Sequence, residues 1–306
     1  MTWQSKEIHL MGTVIDVMIH HEKVDEILEQ VDKQLRENEI RFSANNDKSE
    51  LMAVNLHAGK EWVNVHPSLF KLIELGKHHS VAPNSFLNIS IGTLTKAWRI
   101  GFPDGRKPQE SEITTLLEQI DPSRIQLDSK TSSVYLEEGM SLDLGALAKG
   151  YIADIIVEDL KTQGVQSALI NLGGNVVTFG NAPNKQRKEW RIGIKNPRET
   201  EEVYSEILRI TNQSVVTSGI YERVLEANNQ KYHHIFDSKT GYPVETAILS
   251  LTIISEKSVE GEIWTTRLFG NQPEDIINEV NELTGIEALV ITEEKNYYSK
   301  GMTKYL

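Results

Sequence analysis

The stretch Asp143-Leu144-Gly145-Ala146-Leu147-Ala148-Lys149-Gly150-Tyr151 runs on through Gln163 and Gly164. It leads into Ala168-Leu169-Ile170-Asn171-Leu172-Gly173-Gly174 and then Val176-Val177-Thr178-Phe179. The first part reads as a helix from Leu144 to Gln163, with Asp143 where an N-cap belongs and Gly164 as the C-cap. The apolar run from Ala168 reads as a strand that Gly173-Gly174 breaks and Val176 resumes. A long helix therefore feeds a pair of short strands, and the rest of the chain is fitted around that unit.

Upstream, Glu7 to Ile19 reads as a strand interrupted at Met11-Gly12-Thr13. Val24, Ile27, Leu28, Val31 and Leu35 recur with the 3.6-residue period of an amphipathic helix. A second helix starts near Pro67, a residue suited to a first turn, and carries Leu69, Leu72, Ile73 and Leu75. Downstream, Trp190 to Ile194 and Ile248 to Ile254 alternate as half-buried strands do. Ile277 to Leu283 reads as helical, and Ala288 to Thr292 as a last short strand. Asn181 to Lys188 reads as an exposed polar loop. Strands return repeatedly after few helices, so the expected class is α+β, with mixed sheets and packed helices. No repeat, low-complexity tract or Pro/Gly/Ser-rich linker divides the chain. Residues 1–306 read as one domain, or two intimately joined lobes.

The composition is that of a globular protein, with 25% charged and 39% hydrophobic residues. A net charge of −12 argues against a sequence-independent nucleic-acid binder and against an anionic membrane surface as partner. A small anionic ligand stays open, because a metal ion reverses the sign of a local site. The chain has no cysteine, which excludes thiolate catalysis, disulfides and zinc–thiolate sites. The first residues, Met1-Thr2-Trp3-Gln4-Ser5-Lys6-Glu7, lack a signal-peptide pattern, and no apolar run reaches the ~20 residues of a membrane helix. The chain reads as soluble and cytoplasmic, although an exported protein shorn of its leader would read the same.

Five segments carry chemistry-bearing residues, and each has two readings. Asp143 to Tyr151 is either a phosphate cradle at a helix start, with Lys149 inside it, or a tightly packed capped helix. Gly173-Gly174 allows a ligand close to the backbone, or makes a tight turn. Val216-Thr217-Ser218-Gly219-Ile220-Tyr221 positions a ligand, or turns the chain. In His233-His234-Ile235-Phe236-Asp237-Ser238-Lys239-Thr240-Gly241-Tyr242-Pro243, a His three residues before an Asp is a general base or a satisfied core histidine. Glu262 and Thr266, at i and i+4, would share one helix face. Hard oxygens of that kind suit Mg²⁺, but a first-turn Glu interacting with the helix dipole is the alternative.

Taken in order, these segments resemble the FAD:protein FMN transferase (ApbE) family over most of Met11 to Gly270. Met11-Gly12-Thr13 resembles the family's opening Met-Gly-Thr. Phe42-Ser43, Ser49-Glu50-Leu51 and Asn55 resemble its Phe-Ser…Ser-Glu-(Leu/Ile)…Asn. Leu87-Asn88-Ile89-Ser90-Ile91-Gly92 stands at its Phe-Asp-x-Thr-Val-Gly, and Asp143 to Tyr151 is close to its Asp-Leu-Gly-Ala-Ile-Ala-Lys-Gly-Tyr. Gly-Gly, Trp-Arg, Thr-Ser-Gly-x-Tyr and His-x-x-Asp-x-x-Thr-Gly-x-Pro follow in order. Three positions depart from it: Glu262 and Asn88 stand where Asp is usual, and Ser85 where Gly is usual. Glu is one methylene longer than Asp, so a metal site there needs a shifted backbone or a bridging water.

The resemblance implies an ApbE-like, T-fold-related architecture and Mg²⁺-dependent transfer of FMN from FAD to a Thr or Ser of an acceptor protein, releasing AMP. It places FAD contacts on Met11, Leu87, Asn88, Asp143, Lys149 and Phe236, with Asn55 nearby. It gives Mg²⁺ to the Ala146 carbonyl, Glu262 and Thr266, and the general base to His234. Two alternatives share these residues. Water in place of the acceptor makes an FAD pyrophosphatase yielding FMN and AMP, and loss of catalysis leaves an FAD-binding protein. A Rossmann dehydrogenase is set aside, because no Gly-x-Gly-x-x-Gly follows an early strand.

Overall fold

Glu7 to Ile19 is not one interrupted strand but a hairpin. In the computed structural model, which describes residues 2–184, 186–199 and 203–306, β1 (Thr2–Leu10) and β2 (Thr13–His21) pair antiparallel. Met1 and Lys185, within the opening segment and the 181–188 loop read above, lie outside the described residues. The turning residues Met11 and Gly12 both have positive φ, 53° and 69°, the geometry that matches the twist of a two-residue hairpin. A second hairpin of the same kind joins β3 (Ser167–Leu172) to β4 (Asn175–Phe179), with Gly173 and Gly174 at φ 62° and 91°. β2 and β3 are neighbours, with Ile15 opposite Leu172 and Ile19 opposite Ala168. Then follow β5 (Ser214–Gly219), β6 (Ile248–Ser255), β7 (Glu287–Thr292) and β8 (Asn296–Tyr298). These eight strands form one sheet in chain order, every neighbouring pair antiparallel.

The helices are α1 (Val24–Phe42), α2 (Glu50–Leu56), α3 (Pro67–Ser80), α4 (Gly92–Trp98), α5 (Glu110–Leu117), α6 (Ala148–Thr162), α7 (Ser258–Leu268) and α8 (Pro273–Asn281). The α+β expectation therefore holds. Period-2 burial turns Ile15, Val17 and Ile19 inward, where they join Val31 and Leu35 of α1, Leu72 and Ile73 of α3, and Ile152 and Ile156 of α6. On the opposite face, Met18 and Leu169 meet Trp190, Leu208, Met302 and Tyr305. β6 was expected to be half-buried; it is covered on both faces. Ile253 packs with Leu268 and Ile276 beneath α7 and α8, while Ile254 joins the Trp190 and Tyr305 cluster. A fourth cluster gathers Trp98, Ile113, Tyr232 and Phe236. No described helix is long and apolar enough to cross a membrane.

α6 also begins later than the sequence implied, at Ala148 instead of Leu144. The Asp143 carboxylate accepts from Gly145 N at 2.8 Å and from Thr95 Oγ1 at 2.9 Å. This local side-chain turn competes with helix, so Asp143 caps the turn before α6 and not α6 itself. The N-cap position falls on Leu147, whose side chain makes no capping bond. The other end behaves as read: Gly164 has φ 81°, and Val165 N donates to Leu160 O at 3.0 Å.

Candidate functional site

The β1–β2 and β3–β4 turns lie side by side at one end of the sheet. Gly173 N donates to Val14 O at 3.2 Å. A Cβ on Gly173 would fall 2.3 Å from Thr13 Oγ1, so only glycine lets the two turns meet. Met11 N is held by Glu39 Oε1 at 2.7 Å. Asn175, first residue of β4, carries the sheet end over to the helices.

There Glu262, only 4% exposed, is enclosed by polar groups. Its Oε1 accepts from Asn175 Nδ2 at 2.9 Å and from Lys149 Nζ at 3.2 Å. Asn175 Oδ1 in turn accepts from Ser258 Oγ. α6 and α7 approach so closely because residue 150 is glycine: a Cβ there would stand 2.6 Å from Ser258 O and 2.7 Å from Glu262 Cγ. Asp154 ties the same helices, accepting from Ser258 N at 2.8 Å and Val259 N at 2.9 Å. Burial pushes its carboxyl up to about 6, against the opposing pull of those two N–H groups. Glu262 and Thr266 share a face of α7, as the i, i+4 spacing required. Glu262 sits mid-helix and buried, so it is not a first-turn dipole residue.

The family-model comparison matches residues 11–290 to the ApbE family. This chain belongs to the ApbE family. It is 39% identical over 289 residues to an FAD:protein FMN transferase of Klebsiella pneumoniae, covering 94% of this chain and 88% of that one. It is 33% identical over 302 residues to an FAD:protein FMN transferase of Treponema pallidum, covering 94% and 83%. The ApbE protein of Thermotoga maritima shares the fold, with a TM-score of 0.90 at 23% identity and 99% of both chains covered.

Around this ApbE site the expected ligand contacts fall into distinct situations. Asn55 brackets Leu142, donating from Nδ2 to its carbonyl at 3.0 Å and accepting from its N–H at 2.7 Å. It therefore holds the start of the Asp143 segment. Asp143 N donates to Ile89 O at 2.9 Å, which draws the Leu87–Ile89 segment alongside. Asn88 is buried and engaged on both sides: its amide donates to Ile120 O at 2.7 Å, and its oxygen accepts from Ser90 N at 2.9 Å. The side chains of Leu87 and Phe236 are core residues, so what they offer a ligand is main chain.

The two adjacent histidines separate cleanly. His233 is structural: Nε2 bonds Val244 O at 2.9 Å and Nδ1 accepts from Ile235 N at 3.2 Å. His234 Nδ1 is buried with no hydrogen-bond partner among the described residues. Burial, reinforced by the Arg223 and Lys149 charges, lowers the imidazole to about 4. His234 is thus neutral at pH 7, with a nitrogen uncommitted.

Sequence reading missed Asn175, Asp154, Glu222 and Arg223. Burial raises the Glu222 carboxyl, with Lys149 drawing it down and Glu262 pushing it up. Glu222 and Arg223 directly follow Thr217–Tyr221, and Asn175 directly follows Gly-Gly, so adjacency was the available signal. The hydroxyls of Thr217 and Thr252 bond each other at 2.8 Å, and Gly219 leaves room for the Tyr221 ring. The Thr217 hydroxyl and Gly219 are thereby accounted for within the fold.

The donors expected for a divalent ion are chemically suited to Mg²⁺. Glu262 Oε2 makes no hydrogen bond among the described residues, nor does the Ala146 carbonyl in the turn before α6. Thr266 adds a hydroxyl one turn along α7. A buried carboxylate, a carbonyl and a hydroxyl form a hard-oxygen set, and Mg²⁺ completes such sets with water and phosphate oxygens.

Proposed function

We propose that this site moves the FMN half of FAD onto a Thr or Ser hydroxyl of an acceptor flavoprotein, releasing AMP. The observation that carries the reading is the enclosed Glu262, bonded by Lys149 and Asn175 at a glycine-made helix contact, in a chain of this family. The chain is a flavinyltransferase. Its FAD-binding surface is the ledge of Asn55, Leu87–Asn88 and Asp143, together with the Met11 turn.

Glu262, Thr266 and the Ala146 carbonyl would hold Mg²⁺, which when bound supplies positive charge to the pyrophosphate. Lys149, part-exposed beside Glu262, adds a protein-borne cation to the same phosphates. Asp143, Asn55 and Thr95 fix the turn that presents Ala146 and Lys149. His234, neutral and uncommitted at Nδ1, accepts the proton of the attacking hydroxyl. Oxygen attack on the FMN phosphorus then breaks the bond to AMP, and the proton stays on His234. Burial, reinforced by positive neighbours, holds the free imidazole low, and an anionic substrate beside Arg223 and Lys149 would raise it toward a useful basicity.

His234→Ala tests the assignment. The expected result is FAD binding within about threefold of the parent and transfer reduced at least 100-fold, the usual scale for a lost general base. Transfer at the parental rate would remove His234 from the mechanism.

A further inference from the structure

The Glu262 carboxylate is oriented by a relay that begins outside the ligand set. Asn175 is 2% exposed and has both ends of its amide committed. Its Oδ1 accepts from Ser258 Oγ, and its Nδ2 donates to Glu262 Oε1 at 2.9 Å. A serine hydroxyl must donate there, because the other face of the amide already supplies an N–H to a carboxylate; the amide orientation is therefore determined by its partners. Ser258 is itself placed by Asp154, which receives the N–H groups of Ser258 and Val259. Gly150 closes the loop by letting α6 lie against Ser258 and Glu262.

We infer that Asn175 is a positioning residue for the divalent ion: it holds Oε1 of Glu262 so that Oε2 is presented to the cation. The inference rests on the reading of Glu262 as a metal ligand. The Glu262 side chain reaches Asn175 on β4 as well as Lys149 on α6, and a donor on each side fixes its torsions. Neighbours that orient a metal ligand are worth 10- to 100-fold in metal affinity.

The test is Mn²⁺ binding to the full chain without FAD, by titration calorimetry, for the parent, Asn175→Ala, Asn175→Asp and Ser258→Ala. Thermal unfolding of each variant reports the fraction folded. Asn175→Ala is expected to weaken Mn²⁺ by about 10- to 100-fold in the folded fraction. Ser258→Ala leaves the amide in place but frees it to flip, and is expected to weaken binding by less than Asn175→Ala does. Asn175→Asp sets a like charge against Glu262 and is expected to lose stability. Because Ser258→Ala removes only a hydroxyl, it keeps the test alive if Asn175→Ala fails to fold. Mn²⁺ affinities within twofold of the parent in folded Asn175→Ala, or in folded Ser258→Ala if that is the one obtained, would overturn the positioning role. A parent that binds no Mn²⁺ would overturn the metal reading itself, a result distinguishable from variants that bind as the parent does.

Discussion

Gly150→Ala places one methyl group between the two helices that build the site. The new Cβ would stand 2.6 Å from Ser258 O, 2.7 Å from Glu262 Cγ and 2.8 Å from Ser258 C. Two of those three atoms are backbone, so no rotamer change relieves the contact. Ordinary separation begins near 3.4 Å, so α6 and α7 must part by roughly 0.8 Å. Overpacking of this kind costs about 1–3 kcal/mol. Alanine recovers up to about 1 kcal/mol of helix propensity. The net is a loss of about 0–2 kcal/mol, or a fall in Tm of up to a few degrees for a chain of this size. Function should suffer more than stability, because the same displacement separates Lys149 from Glu262, and a misplacement near 1 Å can cost about 100-fold in rate. Denaturant unfolding and AMP release, measured on one preparation, check both parts. A variant as stable as the parent and equally active would refute the claim that this glycine sets the helix spacing.

Other substitutions separate site from scaffold. His233→Ala removes two hydrogen bonds and should lower stability by about 1–3 kcal/mol, while its folded fraction retains transfer. Asn88→Asp puts a carboxylate opposite the Ile120 carbonyl in a buried setting and should destabilise by about 1–3 kcal/mol in urea titration; an unchanged midpoint would show that Asn88 is not a structural amide. The acid limb of stability carries His234, held at about 4 in the fold against its ordinary 6.5. The folded protein resists the proton that the unfolded chain takes up, so this contribution is present above pH 6.5 and is lost as pH falls toward 4. The parent should lose stability more steeply across that window than His234→Gln does, by about one proton in slope.

How much of this was legible beforehand depended on the range of the interaction. Hairpins and amphipathic helices are local, and Val24–Leu35, the Gly-Gly turn and Gly164 behaved as their own residues dictate. Asp143 misled because a capping residue serves a local turn as readily as a helix, and Thr95, 48 positions away, settles which. Ile248–Ile254 misled because alternation says nothing about a second layer covering the other face. The residues expected to face the ligand came from motifs. Asn175 and Asp154 did not, because their importance lies in contacts 87 and 104 residues distant.

The most direct test incubates the protein with FAD and Mg²⁺, with and without a folded candidate acceptor carrying a Thr or Ser flavinylation site. AMP release is followed together with flavin fluorescence of the acceptor on a denaturing gel. The account predicts AMP only when acceptor is present, and a fluorescent acceptor band in step with it. AMP released equally without acceptor, with no labelled band, would contradict it and make the chain an FAD pyrophosphatase.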